Sequence, residues 1–116
     1  MCKAVWLSIC LMFPLATFAQ IKTGDVLVEE WQAYEKVAAG NALEPDLAPA
    51  EKFQSYVIGV YDTLRVAERV CPPNNVSQMQ IFAVVGNYVR SDPTRWSLPA
   101  IRLVQRPILN AWPCNR

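Results

Sequence analysis

Apolar residues recur at every third or fourth position along most of this chain, and no stretch alternates long enough to make a strand. From Asp25 to Ala38, the positions Val28, Trp31, Tyr34 or Glu35, and Ala38 fall on one side of a helix, and Gly40 supplies a stop. Asn41 to Ala48 holds an asparagine, two acids and a proline and reads as a loop. Pro49 then suits the first turn of a second helix, where its missing amide hydrogen is not needed. Phe53, Val57, Val60, Leu64 and Ala67 form that helix's apolar stripe, with Tyr56 beside it. Arg65, Glu68 and Arg69 take the wet side, and Cys71-Pro72-Pro73 ends the helix.

The third helix carries the strongest start signal. Ser77 stands three residues before Gln80, which is a capping box, and Val76 and Ile81 flank it as a hydrophobic staple. Ile81, Val84, Val85, Tyr88 and Val89 make its apolar face, and Ser91-Asp92-Pro93 closes it. A fourth helix is expected from Ser97 or Leu98, with Pro99 in its first turn and Ile101, Val104, Ile108, Leu109 and Trp112 pointing inward. Pro107 lies in its middle. It cannot donate and clashes with the carbonyl of Leu103, so a kink or a break is expected there. The sum is an all-α fold, a small four-helix bundle.

The first residues belong to a different pattern. Met1-Cys2-Lys3 is a short positive start, Ala4 to Leu15 is apolar apart from Ser8, and Thr17-Phe18-Ala19 places small residues where a signal peptidase reads. Residues 1–19 are therefore expected to be an export signal cleaved after Ala19, which leaves no stable membrane anchor. Residues 20–116 form one small domain in the periplasm. Cys2 and Cys10 depart with the signal. The remaining pair, Cys71 and Cys114, is a candidate for one disulfide in an oxidising compartment. Such a bridge closes a loop of about 44 residues and stabilises by roughly 4 kcal/mol on the chain-entropy model.

Charge changes the picture modestly. From Gln20 to Asp62 there are eight acids and three lysines; from Thr63 to Arg116 there are seven arginines against Glu68 and Asp92. The arginines are spaced along helices and do not run together, so no nucleic-acid partner is expected. The asymmetry is either an ordinary solvated surface or a basic face for an acidic partner.

Chemistry is sparse. The chain has no histidine, which removes the commonest general base and metal ligand. Two cysteines cannot build a zinc site, and no glycine-rich phosphate loop appears. Asp62, within the second helix, reads as partly buried and structural. No enzyme activity, cofactor or metal is expected. The better functional signal is Trp96, beside Arg95 in a polar segment between the third and fourth helices. Trp96 is either a cover over the core or an interface anchor.

The ordered motifs resemble the Rap/Tai family of immunity proteins, which protect bacteria from type VI secretion amidase toxins. They are Gly40-Asn41-Ala42-Leu43, Tyr56-Val57-Ile58-Gly59-Val60-Tyr61-Asp62, Val70-Cys71-Pro72-Pro73, Val84-Val85 to Tyr88-Val89, Pro93, Pro99-Ala100, and Ala111-Trp112-Pro113-Cys114. The resemblance covers about residues 38–114. It implies a periplasmic, non-catalytic helical protein that binds a peptidoglycan amidase and blocks its cleft, often as a homodimer. It also implies a bridge between Cys71 and Cys114. Many relatives have a second cysteine pair; the matching regions here, Leu43-Glu44-Pro45 and Phe53-Gln54-Ser55, have none, so a looser first loop is expected. Composition and the open position between two helices make the loop after the third helix the candidate wedge, with Arg90, Asp92, Arg95 and Trp96 as partner-binding candidates, Trp96 as anchor and Arg95 as charged partner. Rival functions for the same composition are an HdeA-like periplasmic stress chaperone and an inhibitor of another cell-wall hydrolase.

Overall fold

The computed structural model describes residues 21–115. The expected signal at 1–19, with Cys2 and Cys10, lies outside the described residues, as does Arg116. Four α-helices follow in order, α1 (Gly24–Ala38), α2 (Glu44–Val66), α3 (Gln78–Ser91) and α4 (Ala100–Ala111), with a short 3₁₀ helix (Pro93–Ser97) between α3 and α4. Among the described residues, extended pairing is limited to two isolated bridges, Thr23 with Pro99 and Val70 with Pro113.

The core draws on every helix: Leu27, Val28 and Trp31 from α1, Phe53, Val57 and Leu64 from α2, Ile81, Phe82, Val85 and Val89 from α3, and Leu103, Val104 and Ile108 from α4. Tyr34, Phe53 and Phe82 join the first three helices through ring contacts of 5.1 Å and 5.3 Å. Such pairs add roughly 0.5–1.5 kcal/mol each beyond area burial. The expected stripes hold with local errors. Ala38, the last residue of α1, and Ala67, which follows α2, are both exposed. Leu27, Phe82 and Leu103 are buried and complete the faces. Asp62 is exposed, so it is no buried structural carboxylate.

The loop expected at Asn41 to Ala48 is a correction. Helix α2 already starts at Glu44, with Pro45 within the first two positions and Pro49 inside the helix. The signal is local: the Leu43 amide donates to Asp46 Oδ2 at 3.0 Å, half of a capping box. Lys36 of α1 reaches Asp46 at 3.3 Å, tying the short connection to both helices. At the end of α1, Gly40 takes φ 75°. Its amide donates to Val37 O at 3.1 Å, and that of Asn41 donates to Lys36 O at 2.9 Å. This is the double bond pattern that glycine favours at a helix end.

Helix α2 ends in the same pattern with a less suitable residue. Glu68 has φ 54°. The Arg69 amide donates to Leu64 O at 2.9 Å and the Glu68 amide to Arg65 O at 3.0 Å. A non-glycine residue here costs roughly 1 kcal/mol. The turn aims Val70 and Cys71 at the chain's other end. There Val70 bridges Pro113 and the Cys71 amide donates to Trp112 O at 2.9 Å. Cys71 and Cys114 are disulfide-bonded across 43 positions, with Cα atoms 4.9 Å apart. The bridge thus joins the segment after α2 to the segment after α4, as expected.

Two further expectations about α4 are corrected. Ser97 to Pro99 are not its first turn; the helix starts at Ala100, because Pro99 is extended and pairs with Thr23. Of the kink or break expected at Pro107, the break does not occur: the helix runs on to Ala111. A single amide is lost opposite the Leu103 carbonyl, and the proline ring is itself buried, which offsets the defect.

Candidate partner-binding surface

The segment joining α3 to α4 is held by hydrogen bonds from end to end. Asp92 Oδ1 accepts from the Thr94 hydroxyl at 2.6 Å and from the Thr94 amide at 3.0 Å, so it caps the 3₁₀ helix. These two bonds hold the Asp92 carboxyl below the usual aspartate range, with the nearby Arg95 charge adding a little. Arg95 folds back on α3. Its Nη2 donates to Tyr88 O at 3.1 Å and to Ser91 Oγ at 2.6 Å, and its guanidinium lies 3.9 Å from the Tyr88 ring centre. A guanidinium over a tyrosine face is attracted by roughly 0.5–1 kcal/mol when exposed. Arg95 Nε is buried without a hydrogen-bond partner, with Asp92 Oδ2 3.9 Å away.

Trp96 is half-buried against the core. Its indole N–H donates to Val89 O at 2.9 Å, one of the last carbonyls of α3. The ring therefore covers the core, and its polar edge is already committed. Behind it, α1 begins at Gly24, where any Cβ would collide with the carbonyl oxygens of Trp96 and Leu98. Only glycine allows that approach. The preceding residues complete the clamp: the Ala100 amide donates to Lys22 O at 3.0 Å, and Lys22 Nζ contacts buried Glu30 at 2.5 Å.

Of the four sequence candidates, Asp92, Arg95 and Trp96 come together on this segment. Arg90 does not join them. It turns to α1, donating to Glu35 at 2.8 Å and lying 5.4 Å from the Trp31 ring centre.

None of the four sequence candidates lies on α4. Arg102 and Arg106 stand one helical turn apart on its exposed side. With Tyr88, Arg95, Leu98 and Pro99 they line an open groove of about 530 Å³. No ion pair involves Arg102 or Arg106 among the described residues. Their four-residue spacing is readable in the sequence, but their convergence with Arg95 needs the turn at 92–99. A second groove, between α2 and α4, has about 420 Å³ and is mostly apolar, lined by Tyr56, Gly59, Val60 and Ile101.

No cluster of three or more histidine, cysteine, aspartate or glutamate residues suited to a metal occurs among the described residues. No described helix is long and apolar enough to cross a membrane. The surface offers fixed cations, a half-covered tryptophan and a rigid turn. A family model for Rap1a immunity proteins matches residues 23–114. Comparison with curated proteins and with solved structures gives no match.

Proposed function

The chain belongs to the Rap1a immunity protein family, and from that premise we propose that it binds and occludes a peptidoglycan amidase effector in the periplasm without catalysing a reaction. An immunity protein of this family acts against an effector protein; the amidase, the compartment and the mode of blocking are the proposal. The observation that supports it is the segment from Asp92 to Ser97, ordered by its own hydrogen bonds before any partner arrives. A binding element that is already rigid loses little entropy on docking. A wedge entering a cleft needs shape and charge, which this turn supplies, and no nucleophile or proton donor.

Export by residues 1–19, with cleavage after Ala19, belongs to the same proposal, as does assembly into a homodimer. Oxidised residues 20–116 used as bait in periplasmic extract should capture a peptidoglycan amidase at defined stoichiometry. Cells expressing that amidase in the periplasm should survive only when the full chain is co-expressed. Capture of no wall hydrolase, together with no protection, rejects the proposal. Light scattering of the purified chain decides between monomer and dimer.

A further inference from the structure

We propose that the groove formed by Arg95, Arg102 and Arg106 is a docking site for an acidic segment of a protein partner, one that brings two or more carboxylates into line along α4. The inference deepens the effector-binding proposal by naming the chemistry of the partner's contact surface.

Three observations carry it. First, the groove is strongly cationic: its lining includes three arginines and no acid, and the carboxylate beside it, Asp92, pairs with Arg95 at 3.9 Å and with neither Arg102 nor Arg106. Lys36 and Arg90, by contrast, are matched by Asp46 and Glu35, and Lys52 lines a groove that also holds Glu29, Glu30 and Asp46. Second, the arginines are displayed differently. Arg95 is immobilised by Tyr88 and Ser91, whereas Arg102 and Arg106 carry no ion pair among the described residues and stand one turn apart on a regular helix. Guanidinium groups at that spacing suit successive carboxylates of an extended strand or of a helix face, each held by paired N–H donors. Third, Leu98, exposed by 41%, and Pro99 give the groove an apolar floor beside the charges. Apolar contact next to fixed charge favours a protein segment over a free anion. The apolar groove between α2 and α4 lacks such charges.

The test uses oxidised residues 20–116 and a defined probe, a peptide containing four glutamates spaced by leucine and glycine. Side-chain Nε–Hε signals of the arginines are followed by NMR during titration. Saturable shifts are expected at Arg95, Arg102 and Arg106, and not at Arg65 or Arg69. They should weaken strongly as ionic strength rises from about 0.05 M to about 0.5 M. The double variant Arg102→Glu/Arg106→Glu should lower affinity by about tenfold or more; Arg102→Gln/Arg106→Gln should fall between. Circular dichroism confirms that both variants stay helical. Equal shifts at every arginine, or unchanged affinity in the charge-reversed variant, overturn the proposal. Binding to vesicles containing anionic lipid without binding to the peptide also overturns it, and assigns the groove to a membrane surface.

The two proposals fail separately. An amidase captured equally well by the charge-reversed variant leaves effector binding intact and removes the groove. Peptide binding with no amidase captured does the reverse.

Discussion

The two ends of α4 are fastened in opposite ways. Beyond its C-terminus the chain is closed covalently: Cys114 bonds Cys71, and a short bridge between Val70 and Pro113 aligns the two strands. Before its N-terminus the chain is closed without a covalent link, by hydrogen bonds from Asp92, Arg95 and Trp96 within the turn and onto α3, by the Trp96 ring on the core and by the bond from Ala100 to Lys22. The covalent end acts chiefly by restricting the unfolded chain, so it raises stability without shaping a surface. The polar end shapes the surface directly: it fixes Arg95 over Tyr88 and opens the arginine groove. Stability and presentation are thus assigned to different ends of one helix. For a domain this small, one staple offsets the limited core and leaves the other end available for a partner.

The largest effect that separates the two ends is loss of the bridge. The variant Cys71→Ser/Cys114→Ser should lose about 4 kcal/mol of unfolding free energy, read as a lower denaturant midpoint. Arg95 should keep its place over Tyr88 in the folded variant. Were the Arg95 side-chain NMR signal to move as far as the midpoint does, the two ends would not be independent. Next comes Trp96→Ala, which uncovers part of the core and strands the Val89 carbonyl. About 2 kcal/mol should be lost, less than a fully buried tryptophan would cost. Effector inhibition should weaken as well, because the turn loses its anchor on α3. Inhibition that persists unchanged would show that the wedge lies elsewhere.

A smaller effect lies at the start of α3, on the disulfide side. The Gln80 amide donates to Ser77 Oγ at 3.2 Å, and the Ser77 amide to Gln80 Oε1 at 2.7 Å. Ser77→Ala should cost about 1 kcal/mol and leave partner binding untouched, as thermal melting and a pull-down would show in parallel. The smallest effect is acid loosening of the polar end. Thr94 lowers the carboxyl pKa of Asp92. A depressed folded value means that the cap's contribution is complete above the unfolded aspartate pKa of about 3.9 and is lost as pH falls through the lower folded value. Protection of the Thr94 amide, its exchange rate relative to an unstructured peptide at the same pH, should therefore hold from neutral pH down to about 4 and fall below it. Loss of protection already near pH 6 would mean that Asp92 is not the cap.

Local signals in the sequence were legible and distant ones were not. The start of α3 was readable because Ser77, Gln80 and their staple lie within five residues. So was the disulfide, since the expected export signal sets Cys2 and Cys10 aside and leaves a single pair. The start of α2 was misplaced because two prolines compete for the first turn, and the backbone bond to Asp46 favours Pro45. Pro107 reads as a kink or a break because its penalty is local, while its compensation, burial of the ring, comes from tertiary packing. Trp96 was open to both readings for the same reason: its hydrogen-bond acceptor, Val89 O, becomes available only when the 3₁₀ helix folds back on α3. The groove needed the same turn, which brings Arg95 beside Arg102 and Arg106.

The most direct measurement is a titration of oxidised residues 20–116 into the captured amidase while it digests isolated peptidoglycan. Hydrolysis should fall linearly and stop near one immunity chain per amidase, with no change in the immunity chain's own mass. Undiminished hydrolysis at a large molar excess would contradict an occluding partner built on this scaffold.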